Sequence, residues 1–265
     1  MYWIERYKVK HLALTICLIF CSCSKHESKE TVEPTDRVDD IAASYLDQLN
    51  GFSEEKLFPD RCDRLTFLAL SATFVKDFDI SKYEWESGEW HRDIYPCWPK
   101  DSQSEISYDG LLSVLHYALR NDDSILFRMR SYGKEHKWVM GEGDKKLTYN
   151  PQLLILINGI LGEHILGTQQ ERKSTHKEHI LASSIWLKMR YSSLNDVELL
   201  TLKNLKQTPL RDALIARMKD GNQSETIKYL ESFPEKLPLE VGHENWGGCP
   251  RWLYFFILKA VIDGK

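Results

Sequence analysis

An all-α fold is what this sequence predicts, on three observations. Apolar residues recur at helical spacing through most of the chain beyond residue 37. The stretches so marked end on cap and stop residues, among them Ser107, Thr208 before Pro209, Asn150 before Pro151, and Gly51. Two-residue alternation bounded by turn dipeptides is scarce. Helices following one another through short connections pack as consecutive antiparallel pairs. A pair spacing of about 30–40 residues suggests an α/α toroid or solenoid, although no internal sequence repeat accompanies it.

The elements follow in order. Ile41, Ala42, Tyr45, Leu46 and Leu49 lie on one helical face, and Gly51 stops that helix. Asp60 caps a second helix whose inner face is Leu65, Leu68, Ala69 and Ala72. Residues 77–106 are aromatic, charged and aperiodic, with Pro96 and Pro99 bracketing Cys97. They read as one long ordered loop, and loops of that length in a domain are usually functional. Ser107 then caps a helix carrying Leu111, Leu112, Leu115 and Leu119, closed by Asn121. His116 inside it reads as a core histidine. Residues 124–132 form another helix, ended by Gly133. Asn150 and Pro151 open a helix that is apolar nearly all round, through Leu153, Leu154, Ile157 and Leu161, and should be central. Helices near 174–191, 195–206, 208–220 and 224–232 follow, and a second strongly apolar one covers 250–262.

The start of the chain is of another kind. Arg6, Lys8 and Lys10 precede an apolar run from Leu12 to Phe20, and small residues and cysteines come next. This is the plan of a secretory signal, about half as long in its apolar part as the roughly 20 residues a membrane span needs. Its ending resembles the lipobox of bacterial lipoproteins, with Ser22 as the small residue before Cys23, although Phe20 stands where that family usually has Leu. The resemblance implies a signal peptide over 1–22, acyl chains such as palmitate on Cys23, and a flexible polar tether over 23–36. It further implies export, anchoring through the lipid, and, with Ser24 next, an outer-membrane address facing the periplasm or the exterior. A single helical domain over 37–265 completes the expected organisation.

Composition narrows the function classes. The mature part holds roughly 240 residues, enough for one large domain. Hydrophobic residues at 42% and charged ones at 28% suit a soluble body. A net charge of −4 gives no basic footprint for nucleic acid. No P-loop, dinucleotide loop or Gly-x-Ser-x-Gly elbow occurs, so no cofactor is expected. No CxxC spacing exists in the body, and His176 and His179 have no further ligands nearby in sequence, so no metal site is expected either. An exported chain permits disulfides. Cys62 and Cys97 are a candidate pair stapling an N-terminal loop, and Cys249, at a helix start, reads as bridged or buried.

Chemistry-bearing residues gather on loops and helix starts. Asp63, Asp93, Asp109 and Glu142 are candidate catalytic acids, because glycan hydrolysis needs two carboxyl groups flanking the scissile bond. Trp90, His91, Trp98, Trp138, His243 and Trp246 are candidate glycan- or partner-binding residues, since sugar faces stack on aromatic rings. In class and residue types the body loosely resembles the helical toroids of glycoside hydrolases and polysaccharide lyases. Against an enzyme, Asp63 and Asp109 lie in first helical turns, where an acid already stabilises the helix dipole by about 0.3–1 kcal/mol. Trp138 and Trp246 also suit gaps between helices. The expected function is therefore a lipid-anchored envelope module binding a protein or glycan. The alternative is a hydrolase or lyase acting on envelope polysaccharide or peptidoglycan.

Overall fold

In the computed structural model, residues 36–94, 106–141, 147–148, 157, 178–192, 196–219, 221–242 and 248–264 are described. They are mostly helical and belong to one compact unit. The signal segment with Cys23, together with Cys97, Trp98, Glu142, His243 and Trp246, lies outside the described residues.

Helix α1 (Asp36–Leu49) turns Val38, Ile41, Ala42, Tyr45 and Leu49 inward, whereas Leu46, expected on the same face, is 39% exposed. A short turn, α2 (Glu54–Leu57), leads to a 3₁₀ turn at Arg61–Asp63 and then to α3 (Arg64–Phe74). Helix α3 is buried well beyond the one inner face expected of it. Arg64, Thr66, Ser71 and Thr73 are buried beside Leu65, Phe67, Leu68, Ala69 and Leu70. Thr73 meets the cost by donating to the Ala69 carbonyl at 2.7 Å, and Arg64 by donating to Phe58 O at 3.2 Å.

Helix α4 (Tyr108–Asn121) starts as its sequence predicts, with Ser107 Oγ accepting from the Gly110 amide at 3.2 Å. It does not pair antiparallel with α3. A Cβ at Gly110 would lie 3.4 Å from Thr66 Oγ1, so the two helix starts are neighbours. Further along, Phe74 of α3 and His116 of α4 both meet the Trp186 ring, at 5.2 and 4.5 Å. Both helices therefore run the same way, which demands a return path. Residues 75–94 supply it: the Leu65 amide at the start of α3 donates to Arg92 O at 3.2 Å. The stretch expected as plain loop carries a 3₁₀ turn (Ser81–Tyr83) and an antiparallel hairpin, β1 (Glu84–Glu86) and β2 (Glu89–Trp90).

Helix α5 (Ser124–Glu135) runs past Gly133, where the sequence predicts its end. Gly133 is instead an interior position: a Cβ there would fall 2.4 Å from the Trp138 ring, so the glycine makes room for an indole. A second short antiparallel pair, β3 (Val139–Met140) and β4 (Leu147–Thr148), follows. Of the helix expected after Pro151 only Ile157 is described; it is helical and buried.

The remaining helices lie close to their expected bounds: α6 (Glu178–Tyr191), α7 (Asp196–Asn204), α8 (Pro209–Lys219), α9 (Ser224–Glu231) and α10 (Arg251–Asp263). Helix α10 is buried nearly all round, from Trp252 to Leu258, as its composition requires. It packs against α3, α8 and α9, and α6 lies on α4.

Candidate binding site at the 84–94 hairpin

The hairpin turns at Ser87 and Gly88. Gly88 has φ +92°, and a Cβ there would come within 2.2 Å of the Arg128 carbonyl oxygen, so both backbone shape and space demand glycine. Glu84 fixes the hairpin to α5, accepting from Arg128 Nε and Nη2 at 2.8 Å each and from the Gly88 amide at 2.7 Å. Register runs Glu84 to Trp90 and Glu86 to Glu89, leaving Trp85 as the extra residue of a bulge.

That bulge decides which tryptophan faces water. Trp90 is 1% exposed, so its indole cannot serve as the sugar platform the sequence suggests. Its amide points at Met140 Sδ, 3.3 Å away, which ties the hairpin to β3. Trp85 is 42% exposed and lies flat on the His91 imidazole, with ring centroids 3.7 Å apart and planes 7° from parallel. His91 is itself buried, with Nε2 3.1 Å from Glu89 Oε1 and its amide donating to Tyr83 O at 2.9 Å. Trp85 was not among the residues the sequence singled out. Its signal was available: two Glu-Trp pairs, 84–85 and 89–90, stand either side of a Ser-Gly turn.

Two of the candidate acids have structural tasks, and a third is buried. Asp63 accepts from Arg92 Nη1 at 2.9 Å. Asp93 is 2% exposed. Asp109 lies in the first turn of α4 and accepts from the Gly110 amide at 3.1 Å. Trp138 is half-buried over Gly133, and both it and Lys137 hold left-handed backbone, φ +61° and +54°. Beneath the hairpin, Tyr83 donates to Glu54 Oε1 at 2.9 Å, and burial followed by the Glu54 charge raises its pKa. Asp63, Trp90, His91, Asp93 and Asp109 thus lie around the starts of α3 and α4, and Trp138 lies over Gly133 of α5. Asp63 and Asp109 serve the scaffold there, and Asp93 is buried.

A second polar cluster invites a catalytic reading and fails it. His116 Nε2 is 3.3 Å from Ser183 Oγ, and His116 Nδ1 is 3.2 Å from Arg190 Nη1. Arginine only donates, so Nδ1 accepts and Nε2 carries the proton. Nε2–H therefore donates to Ser183, the reverse of what a nucleophilic serine needs from its base. Both side chains are fully buried. Cys249 is likewise inert, a buried thiol whose pKa is raised by desolvation despite its place before α10. Among the described residues no three histidine, cysteine or acidic side chains come together to hold a metal ion. Nor, among them, is any helix long and apolar enough to cross a membrane. No protein family, curated protein or solved structure matches the chain.

Proposed function

We propose that the chain is a lipid-anchored envelope protein whose helical body binds a partner through the surface around the 84–94 hairpin. The observation that carries this is the contrast between the described acids and Trp85. Asp63 is in an ion pair, Asp93 is buried and Asp109 accepts from the next amide in the first turn of α4, while Trp85 turns an aromatic ring to solvent. A site built this way supports recognition better than bond cleavage. The anchor part of the proposal rests on Ser22 and Cys23, and Ser24 suits an outer-membrane address.

The alternative, a polysaccharide or peptidoglycan hydrolase or lyase in a toroid or solenoid of helix pairs, draws on one observation. Asp63, His91, Asp93 and Asp109 lie near the starts of α3 and α4, which suits such a reading. One experiment separates the two. The full chain and a Cys23→Ser variant are fractionated, then incubated with cell-wall and capsular polysaccharides and with envelope extracts. We expect membrane association that the variant loses, with saturable retention and no new reducing ends or unsaturated products. Turnover of any polymer overturns the binding reading, and unchanged membrane association of the variant overturns the anchor.

A further inference from the structure

We propose that the open face of Trp85, beside the Glu86 carboxylate, receives a lysine or arginine side chain of a partner protein. This rests on the binding reading above and names the chemistry that the same surface takes. The first premise is geometric. Trp85 is stacked flush on His91, at 3.7 Å and 7°, yet remains 42% exposed. One face is covered, so the exposed area belongs to the other face and the rim. The stack beneath and the bulge at Trp85 hold the indole in place before any partner arrives, which lowers the ordering cost of binding.

The second premise is charge. Two bases of the hairpin region are committed among the described residues: Arg128 to Glu84, and Arg92 to Asp63. Glu86 is exposed, has no hydrogen bond or ion pair among the described residues, and stands directly across the hairpin from Glu89. Like charges so placed disfavour the hairpin, and a cation arriving between ring and carboxylate relieves that cost. The indole face is itself the negative end of a quadrupole. Phosphates and uronic acids are repelled by the same field. A neutral sugar stacks on the ring, but Arg128 and Arg92 are already engaged and not free to donate to it. A quaternary ammonium satisfies the ring but cannot donate to Glu86. Lysine and arginine do both.

The full chain, in detergent micelles and labelled with 5-fluorotryptophan, gives the test by fluorine NMR, with the Trp85 signal identified by its loss in Trp85→Phe. Probes are a blocked pentapeptide rich in lysine, its arginine counterpart, its Nε-acetyl-lysine counterpart, choline, and a neutral oligosaccharide. The expected result is a saturable shift of the Trp85 signal with the lysine and arginine peptides and none with the acetylated one. Glu86→Gln should weaken that binding about two- to fivefold, the size of an exposed cation–π or ion-pair contribution. A silent Trp85 signal, an equal response to the acetylated peptide, a response to choline that Glu86→Gln leaves unchanged, or a response to the oligosaccharide alone each overturns the assignment. The two readings fail separately. Polymer turnover removes the binding function and leaves this titration standing, whereas a silent signal removes the cation site and leaves polymer retention standing.

Discussion

The proton on His116 is fixed by the groups on either side of it. Arg190 donates to Nδ1 at 3.2 Å and to the His116 carbonyl at 3.3 Å, so the imidazole offers its Nε2 proton to Ser183. Burial, and then the Arg190 charge, push the pKa of His116 well below its ordinary value. Arg190 is in turn pushed down to about 10, by burial first and by Arg120 second. The linkage sign follows. The folded histidine stays neutral while the unfolded one takes a proton below about pH 6.5, so its contribution is whole above that pH and is lost as pH falls. Between pH 7.5 and 5.0 the protein should lose about 2 kcal/mol more stability than a His116→Gln variant. Guanidinium unfolding midpoints at the two pH values read the difference, and equal losses in both proteins would contradict it. At this scale the sequence was readable where burial follows helical spacing: His116 sits among Leu112, Leu115 and Leu119 and was expected to be a core residue. It was not readable for the tryptophans, because exposure of Trp85 and burial of Trp90 depend on one bulge.

Elements show where local pattern runs out. Helices with a clear stripe and a cap were legible, and α4 begins at its expected cap, Ser107. Residues 75–94 were not, because two strands this short leave almost no periodicity to detect. What holds the hairpin is long-range: Arg128 on Glu84, Met140 beneath Trp90, and Leu65 on the Arg92 carbonyl. Gly133 misled for a related reason, since its purpose is the Trp138 ring five residues on. Gly88 is the tightest of these fits. Gly88→Ala places a Cβ against the Arg128 carbonyl and asks alanine to hold φ +92°. The left-handed backbone costs roughly 1–2 kcal/mol and the overlap about 1–3 more. A loss of about 2–5 kcal/mol in guanidinium unfolding is expected, with Ser87→Ala, at an exposed neighbour, as the near-neutral control. A loss under about 1 kcal/mol would show that the turn is not pressed against α5.

Across the whole molecule, the first helix is fastened to the last quarter of the chain. Arg37 donates to Glu231 O at 3.1 Å, Gln48 to Glu235 O at 3.0 Å, and the Leu237 amide returns to Gln48 at 2.9 Å. Lys259 of α10 reaches Asp39 at 3.0 Å. None of these partners is near the other in sequence, and hydrophobic periodicity carries no information about which faces meet. The same limit hid the parallel run of α3 and α4. What unites the ends is a cluster of rings: Phe255 lies 5.2 Å from Tyr45, 5.4 Å from Phe233 and 5.4 Å from Phe256, edge-on to each. Edge-on aromatic contacts add to burial, so the centre of such a cluster carries more than its own area. Phe255 is fully buried, and Phe255→Ala should cost about 3–5 kcal/mol. That is a large share of the roughly 5–15 kcal/mol that holds a typical domain together. Because α1 and the C-terminal helices lean on the same ring, they should loosen together: tryptophan fluorescence and far-ultraviolet circular dichroism should report one transition at a lower urea midpoint. Two separated transitions would mean that α1 lets go on its own, so that α1 and the C-terminal helices are not one cooperative unit around this ring.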